Sequence, residues 1–243
     1  SLFQIHDRLA TAITGEADSF QSSAFDTGGD YAHIYASNGY LYRQFDTTEA
    51  QLSFKWSELV ENCSKLLDVG YGMIEVAGKK IIICERREYF YQDDVVAIIQ
   101  DYKQGSFNRD VDIDKYYSAI NCGTPKKDYE AAGTLVDYTT ETNYTTALGV
   151  IDNPLDLVGS YHVSGNWVEL ARRLVKEETE TTDSKFDNDI ILMETITDGA
   201  GGLQQRTDED FDTVNGIDQI TTPINLNLTP ARTISKWGKW IRT

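Results

Sequence analysis

Three histidines, three cysteines and a surplus of carboxylates are the side chains with which this sequence could do chemistry. Nucleophilic catalysis needs a Ser, Cys or Lys activated by a neighbouring base, most often histidine. The candidates are His6, His33 and His162. His6 stands on the apolar face of an amphipathic segment, where a packed histidine is the commoner outcome. There is no GxSxG elbow, and none of Cys63, Cys84 and Cys122 has a catalytic sequence context. The cysteines form no CxxC pair and are odd in number, with two in apolar runs where a thiol acts as a small hydrophobe. A reducing compartment is therefore expected, rather than a disulfide framework. Neither HExxH nor paired Cys/His spacing points to zinc. The run Gly199-Ala200-Gly201-Gly202 lacks the following Lys and helix that phosphate cradling requires.

Carboxylates are the remaining option. Asp110, Asp112 and Asp114 alternate, so a strand would put them on one face. Asp208, Asp210 and Asp212 imitate the start of a calcium loop, but Thr213 stands where glycine is needed and Gln219 where the bidentate acid belongs. Asp183, Asp187 and Asp189 form a third cluster. A solvated acidic face accounts for each more readily than a metal does. A glycosidase needs two carboxylates facing a cleft, and a chain with 39 acids always offers such a pair. The reading is of a non-enzyme: no catalytic, cofactor-binding or metal residue is assigned, and no cofactor is expected.

The elements that would position these groups follow from periodicity. Leu2, Ile5, His6, Leu9 and Ile13 predict a helix over residues 2–14, stopped by Gly15. Helical spacing from the first turn, with no initiator Met, suggests a piece cut from a longer protein. Residues 16–50 read as loop-rich, with turns at Gly28-Gly29 and Asn38-Gly39. Ser53 is expected to N-cap a helix carrying Trp56, Leu59, Val60, Cys63, Leu66 and Leu67, with Gly70 and Gly72 ending it. Strands at 73–76 and 80–84 around Ala77-Gly78-Lys79 would form a hairpin, followed by Tyr89-Phe90-Tyr91 and an apolar run at 95–99. Further strands are expected at 111–121, 155–163, 189–196 and 224–228. Asn166 would cap a helix through Trp167, Leu170, Ala171 and Leu174, and a last helix would start at Pro230 with Ile234, Trp237 and Ile241 on one face. Residues 198–222 read as an exposed acidic loop. The expected fold class is α+β, strand-rich with a few short helices. Two sub-domains, 1–124 and 125–243, would meet near Pro125.

Composition bounds what such a fold can do. The chain has 243 residues, 40% of them hydrophobic and 11% aromatic, enough to bury a real core. Its net charge of −17 opposes nucleic-acid backbones and anionic membranes alike. Solubility is one reading of that charge, and a surface that must not adhere to passing nucleic acid is another. No stretch approaches the roughly 20 apolar residues of a membrane span, and no signal peptide is visible. Residues 176–218 hold 13 acids against 3 bases, a net of −10. Residues 230–243 hold Arg232, Lys236, Lys239 and Arg242 with no acid. Such patches dock between subunits or within the fold, or stay solvated. Trp237 and Trp240 are three apart, so both could be core, or one core and one an interface anchor.

The segment 53–91, SFKWSELVENCSKLLDVGYGMIEVAGKKIIICERREYFY, resembles a helix–glycine–hairpin unit of large virion proteins from phages of Bacteroidetes hosts. YYSAINCGTPK, YHVSGNWVELARR, FDNDIILME and INLNLTPARTISKWGKWI are similar to further blocks in the same order. Cys122-Gly123-Thr124 departs from the family's Gly-Tyr. The resemblance implies tail-hub-like β modules and a virion structural protein of tail or baseplate, from a phage or prophage. Such a protein would be made in the bacterial host cytoplasm and act through a homo-oligomer and other virion proteins, without sequence-specific nucleic-acid binding. An acid-lined ring would let DNA pass. The family brings no catalytic residues. Two rival readings stand beside it: a carbohydrate- or receptor-binding β module stacking ligands on Tyr and Trp, and a glycoside hydrolase.

Overall fold

Capping and apolar spacing account for the first element, α1 (Leu2–Thr14). The Ser1 hydroxyl accepts from the Gln4 amide while the Gln4 side chain accepts from the Ser1 nitrogen, satisfying donors that a helix start leaves orphaned. Gly15 closes the helix at φ 75°, a left-handed geometry that turns its amide onto the Thr11 carbonyl. Leu2, His6 and Ala10, four apart, form the buried stripe. The computed structural model describes residues 1–42, 52–91, 95, 97–98, 103, 105, 112–124, 141–147, 152–164, 167, 188–197, 202–205 and 225–241.

After α1 come β1 (Phe20–Gln21), β2 (Ile34–Asn38), the short α2 (Gly39–Tyr42), α3 (Trp56–Leu67), β3 (Val69–Val76) and β4 (Lys79–Arg86). A 3-10 turn at Arg87–Phe90 and another at Ile113–Lys115 precede β5 (Ala119–Gly123), β6 (Thr142–Thr145) and β7 (Pro154–Val158). The chain continues through β8 (Ile190–Thr197), β9 (Leu203–Gln205) and a 3-10 turn at Leu226–Leu228 to α4 (Pro230–Ile241). The described strands form three-stranded sheets in the orders β1-β4-β3, β2-β8-β9 and β6-β5-β7. The fold is α+β and strand-rich with a few short helices, as the sequence predicts. Pairing crosses residue 125: β2 is antiparallel to β8, and β5 pairs with both β6 and β7. Residues 125–140 themselves lie outside the described residues.

The α3–hairpin unit forms with two corrections. Helix α3 begins at Trp56 behind Lys55, with no side-chain cap, so Ser53 is not its N-cap. It ends because Asp68 adopts the left-handed region at φ 54°, and Gly70 and Gly72 belong to β3. Their lack of a side chain serves Phe90, whose ring lies over them. A Cβ on Gly70 would come within 2.8 Å of the Phe90 ring, and one on Gly72 within 3.0 Å. The hairpin turns at Ala77 and Gly78, both at positive φ (52° and 81°), the twist that two-residue hairpin loops require.

Three other strand expectations are also revised. In place of a strand over 111–121, Asp112 caps the turn at Ile113–Lys115 and the strand is Ala119–Gly123. The strand expected over 155–163 ends at Val158, and His162 then bridges to Ile191. Residues 226–228 form a 3-10 turn in place of a strand: the Leu228 amide donates to the Asn225 carbonyl, and the Asn227 amide donates to the Glu194 carboxylate. The 189–196 strand and the Pro230 helix form as expected. Within the loop expected over 198–222, Leu203–Gln205 instead pairs with β8 as β9, because its backbone finds a strand partner. Residues 206–222, and the helix expected after Asn166 apart from Trp167, fall outside the described residues.

One core gathers Leu2, Phe20, Phe25, Ile34, Leu59, Leu66, Val69 and Leu192, joining α1, α3, the hairpin and β8. A smaller one stacks Ile120, Cys122 and Leu157 under Ile234, Trp237 and Ile241, the predicted apolar face of α4.

Candidate interaction surface

The last carbonyls of any α-helix lack intrahelical donors. Those of α3 receive theirs from distant side chains. Trp237 Nε1 donates to the Lys65 carbonyl at 3.0 Å, Lys236 Nζ to Leu66 at 3.4 Å, and Tyr31 Oη to Leu67 at 2.7 Å. Lys236 also reaches the Asn227 carbonyl at 2.9 Å and lies over the Tyr31 ring. An ammonium suits the negative end of the helix dipole, yet burial lowers the Lys236 pKa to about 8.

Just beyond, Asp68 is shared. One oxygen accepts from Arg87 Nε at 2.7 Å and the other from Trp240 Nε1 at 2.9 Å, while the Arg87 guanidinium lies 4.0 Å from the Trp237 ring centroid. Lys239 pairs with Glu88, which also meets Arg86 Nε at 3.2 Å. Thus Lys236, Lys239 and both tryptophans of the basic C-terminal segment dock within the fold. Arg232 is exposed, and Arg242 lies outside the described residues.

This clasp fixes the base of the hairpin and leaves its outer surface apolar. Phe90 remains 38% exposed over Gly70 and Gly72, with Tyr89 meeting it edge-on at 5.2 Å. Tyr91, 64% exposed, packs its ring 4.6 Å from that of Trp240. Met73, 62% exposed, projects from the other face of β3, since neighbours alternate along a strand. Among the described residues β3 pairs along one edge only, with β4. Exposed edges are ordinarily blunted by Lys, Pro or a bulge. β3 reads Val-Gly-Tyr-Gly-Met-Ile-Glu-Val, with Glu75 as its sole charge.

The chemistry-bearing residues of the sequence lie elsewhere and apart. His6 is buried between α1 and the hairpin. The His33 carbonyl accepts from the amide and hydroxyl of Thr195. His162 is buried, stacks on Trp167 at 5.5 Å, and holds Nε2 3.8 Å from Asp189. The three thiols are buried, and desolvation pushes Cys63 up to about 12, Cys122 up to about 11, and Cys84 up as well. Such thiols stay protonated at neutral pH. Asp112 accepts from the Asp114 amide, and both are exposed in a turn instead of aligned on a strand. Asp110, Asp183, Asp187, Asp208, Asp210 and Asp212 lie outside the described residues. Among the described residues no group of three or more His, Cys, Asp or Glu is placed to hold a metal ion, and no helix is long and apolar enough to cross a membrane.

Sequence reasoning missed the residues that tie the elements together. Buried Asn225 donates to the carbonyls of Val163 (2.6 Å) and Leu192 (2.9 Å) and accepts from the Glu194 amide (2.8 Å). Asn62 donates to Glu58 O and Ser160 Oγ and accepts from the Tyr161 amide. Nothing local marks either asparagine, because every long-range partner is remote in sequence. No protein-family model matches this chain, and comparison with curated proteins and with solved structures likewise finds no match.

Proposed function

We propose that this chain is a non-catalytic assembly module that docks on other protein chains, its own copies included, through the β3–β4 hairpin and the turn after it. The observation that carries this reading is the apolar edge: a β3 that, among the described residues, pairs on one side only, with exposed Met73 on one face and Phe90 on the other, and with Tyr89 and Tyr91 beside Phe90 in sequence. Free edge amides and carbonyls template an added strand, and aromatic side chains at its flanks supply the anchors that dominate interface energetics. The same segment carries the resemblance to virion proteins, so the module is assigned to a phage tail or baseplate hub. The net charge of −17 suits a particle through which DNA passes without adhering.

A second reading, a carbohydrate- or receptor-binding module, is favoured by one feature, the ring pair of exposed Tyr91 and half-buried Trp240 beside Glu88. Those rings are tilted by 41°, which makes a poor flat platform for a sugar.

Sedimentation velocity of the whole chain over a concentration series tests the proposal. Met73→Asp and Tyr91→Asp are expected to abolish self-association while leaving the circular-dichroism spectrum unchanged. Association that survives both substitutions overturns the assignment of the surface.

A further inference from the structure

We propose that His6 is an acid-sensitive fastener of α1, whose protonation releases the N-terminal helix while the α3–hairpin unit stays folded. This inference is independent of the docking surface and rests on how the imidazole is held. Nδ1 lies 2.8 Å from the Leu2 carbonyl of its own helix, and a carbonyl can only accept, so Nδ1 carries the proton. Nε2 is then the lone-pair acceptor for Tyr71 Oη on β3, also at 2.8 Å. Among the described residues, this is the hydrogen bond that joins α1 to another element.

The surroundings make the neutral form obligatory. The rings of Phe20, Phe25, Trp56 and Tyr71 enclose the imidazole at centroid distances of 5.0 to 6.0 Å. The titratable groups facing it are Tyr71 from β3 and, through that hydroxyl, the Cys63 thiol of α3 and the Cys84 thiol of β4. β1 and the Phe25 turn contribute only rings, and α1 itself carries Asp7 and Arg8 at the neighbouring positions. No charged group among the described residues contributes to the His6 titration, which burial lowers to about 4. A second ring proton would turn Nε2 into a donor against a hydroxyl that now donates, and would leave the charge in an apolar box. Aromatic faces offset part of that penalty, but desolvation outweighs it.

Release can be local because, among the described residues, few hydrogen bonds fasten residues 1–21. β1 is two residues long and pairs only with Ile82 and Ile83, supported by the Ile82 amide on the Ser19 carbonyl. The remaining described attachments are the bond from Lys79 Nζ to the Ala17 carbonyl, the buried Phe20 ring, and the apolar stripe of Leu2 and Ala10 with Phe3, Ile5 and Leu9 beside it.

Amide hydrogen exchange of the intact chain, corrected for intrinsic rates, reads α1 and the 56–86 unit separately. With released His6 titrating near its ordinary 6.5, acidification from about pH 7.5 to about pH 5 is expected to raise the opening equilibrium of residues 2–14 about 30-fold. Protection of 56–86 should be unchanged, and His6→Gln should open α1 to the same extent at both pH values. Should that variant fail to fold, the imidazole NMR shifts of the wild type give the His6 titration directly, and α1 opening must follow it. Loss of protection in α1 and 56–86 together, an α1 insensitive to acid, or opening that does not follow the His6 titration overturns the proposal.

Discussion

Replacing Lys236 by Met removes an ammonium whose pKa burial has lowered to about 8 from an ordinary 10.5. The methionine keeps most of the apolar stem over Tyr31 but gives up the bonds to the Leu66 and Asn227 carbonyls. Unfolded lysine holds its proton up to about pH 10.5, whereas the folded one releases it from about pH 8. Between those values the unfolded state binds more protons, so the lysine's contribution to stability rises with pH; below pH 8 it is flat. From pH 8 to pH 9 the rise amounts to about 1 kcal/mol. The buried thiols of Cys63 and Cys84 and the Tyr71 hydroxyl, all with raised pKa values, oppose this above about pH 9, where their unfolded counterparts ionise. Both proteins share those groups, so they cancel in the difference. Urea unfolding of wild type and variant at about pH 7, pH 8 and pH 9, followed by circular dichroism, measures that difference. It should change little up to pH 8 and then grow in favour of the wild type by about 1 kcal/mol. Parallel pH profiles would show that Lys236 is not a desolvated cation, and would remove the account of the α3–α4 clasp.

Two further substitutions probe the ties between elements. Asn225→Ala strands two buried carbonyls and one amide, and should lower the unfolding free energy in guanidinium by about 2–4 kcal/mol; a loss below about 1 kcal/mol would show that Asn225 is not a hub. Gly70→Ala pushes a methyl into the Phe90 ring and should cost about 1–2 kcal/mol, with faster amide exchange confined to residues 87–91. Unchanged exchange there would contradict the packing of Phe90 on the strand.

What could be read from the sequence was what neighbours within a few residues decide. The first helix declares its apolar stripe and its stop at Gly15 locally, and the last declares its start at Pro230 and its apolar face at Ile234, Trp237 and Ile241. The hairpin turn is explicit in Ala77-Gly78. The errors fall where a remote partner sets the conformation. Gly70 and Gly72 resemble helix stops, yet the ring they accommodate arrives 18 residues later than Gly72, at Phe90, while an aspartate at 68 makes the turn. The alternating aspartates near 112 imitate a strand, but an aspartate carboxylate bonding an amide two residues on is also a turn signal, and Asp112 uses it so. The surface assigned to docking was visible only as Tyr89-Phe90-Tyr91 in sequence. Its exposure depends on Trp240 and the α4 clasp, which bring the far end of the described chain beside it.

The charge split is the most instructive partial reading. The basic terminal segment meets acids inside the chain at Asp68 and Glu88, and Glu194 adds a Coulombic pull on Lys236. Docking within the fold therefore uses isolated acids of the hairpin region. It occupies Lys236 and Lys239 within the fold and leaves Arg232 exposed.

The solution mass of the intact wild-type chain, measured by light scattering or native mass spectrometry across a dilution series, bears most directly on the assembly reading. A discrete oligomer that dissociates on dilution, and is absent in Met73→Asp, is the predicted result. A monomer at every concentration, unchanged by that substitution, would contradict self-assembly through the hairpin.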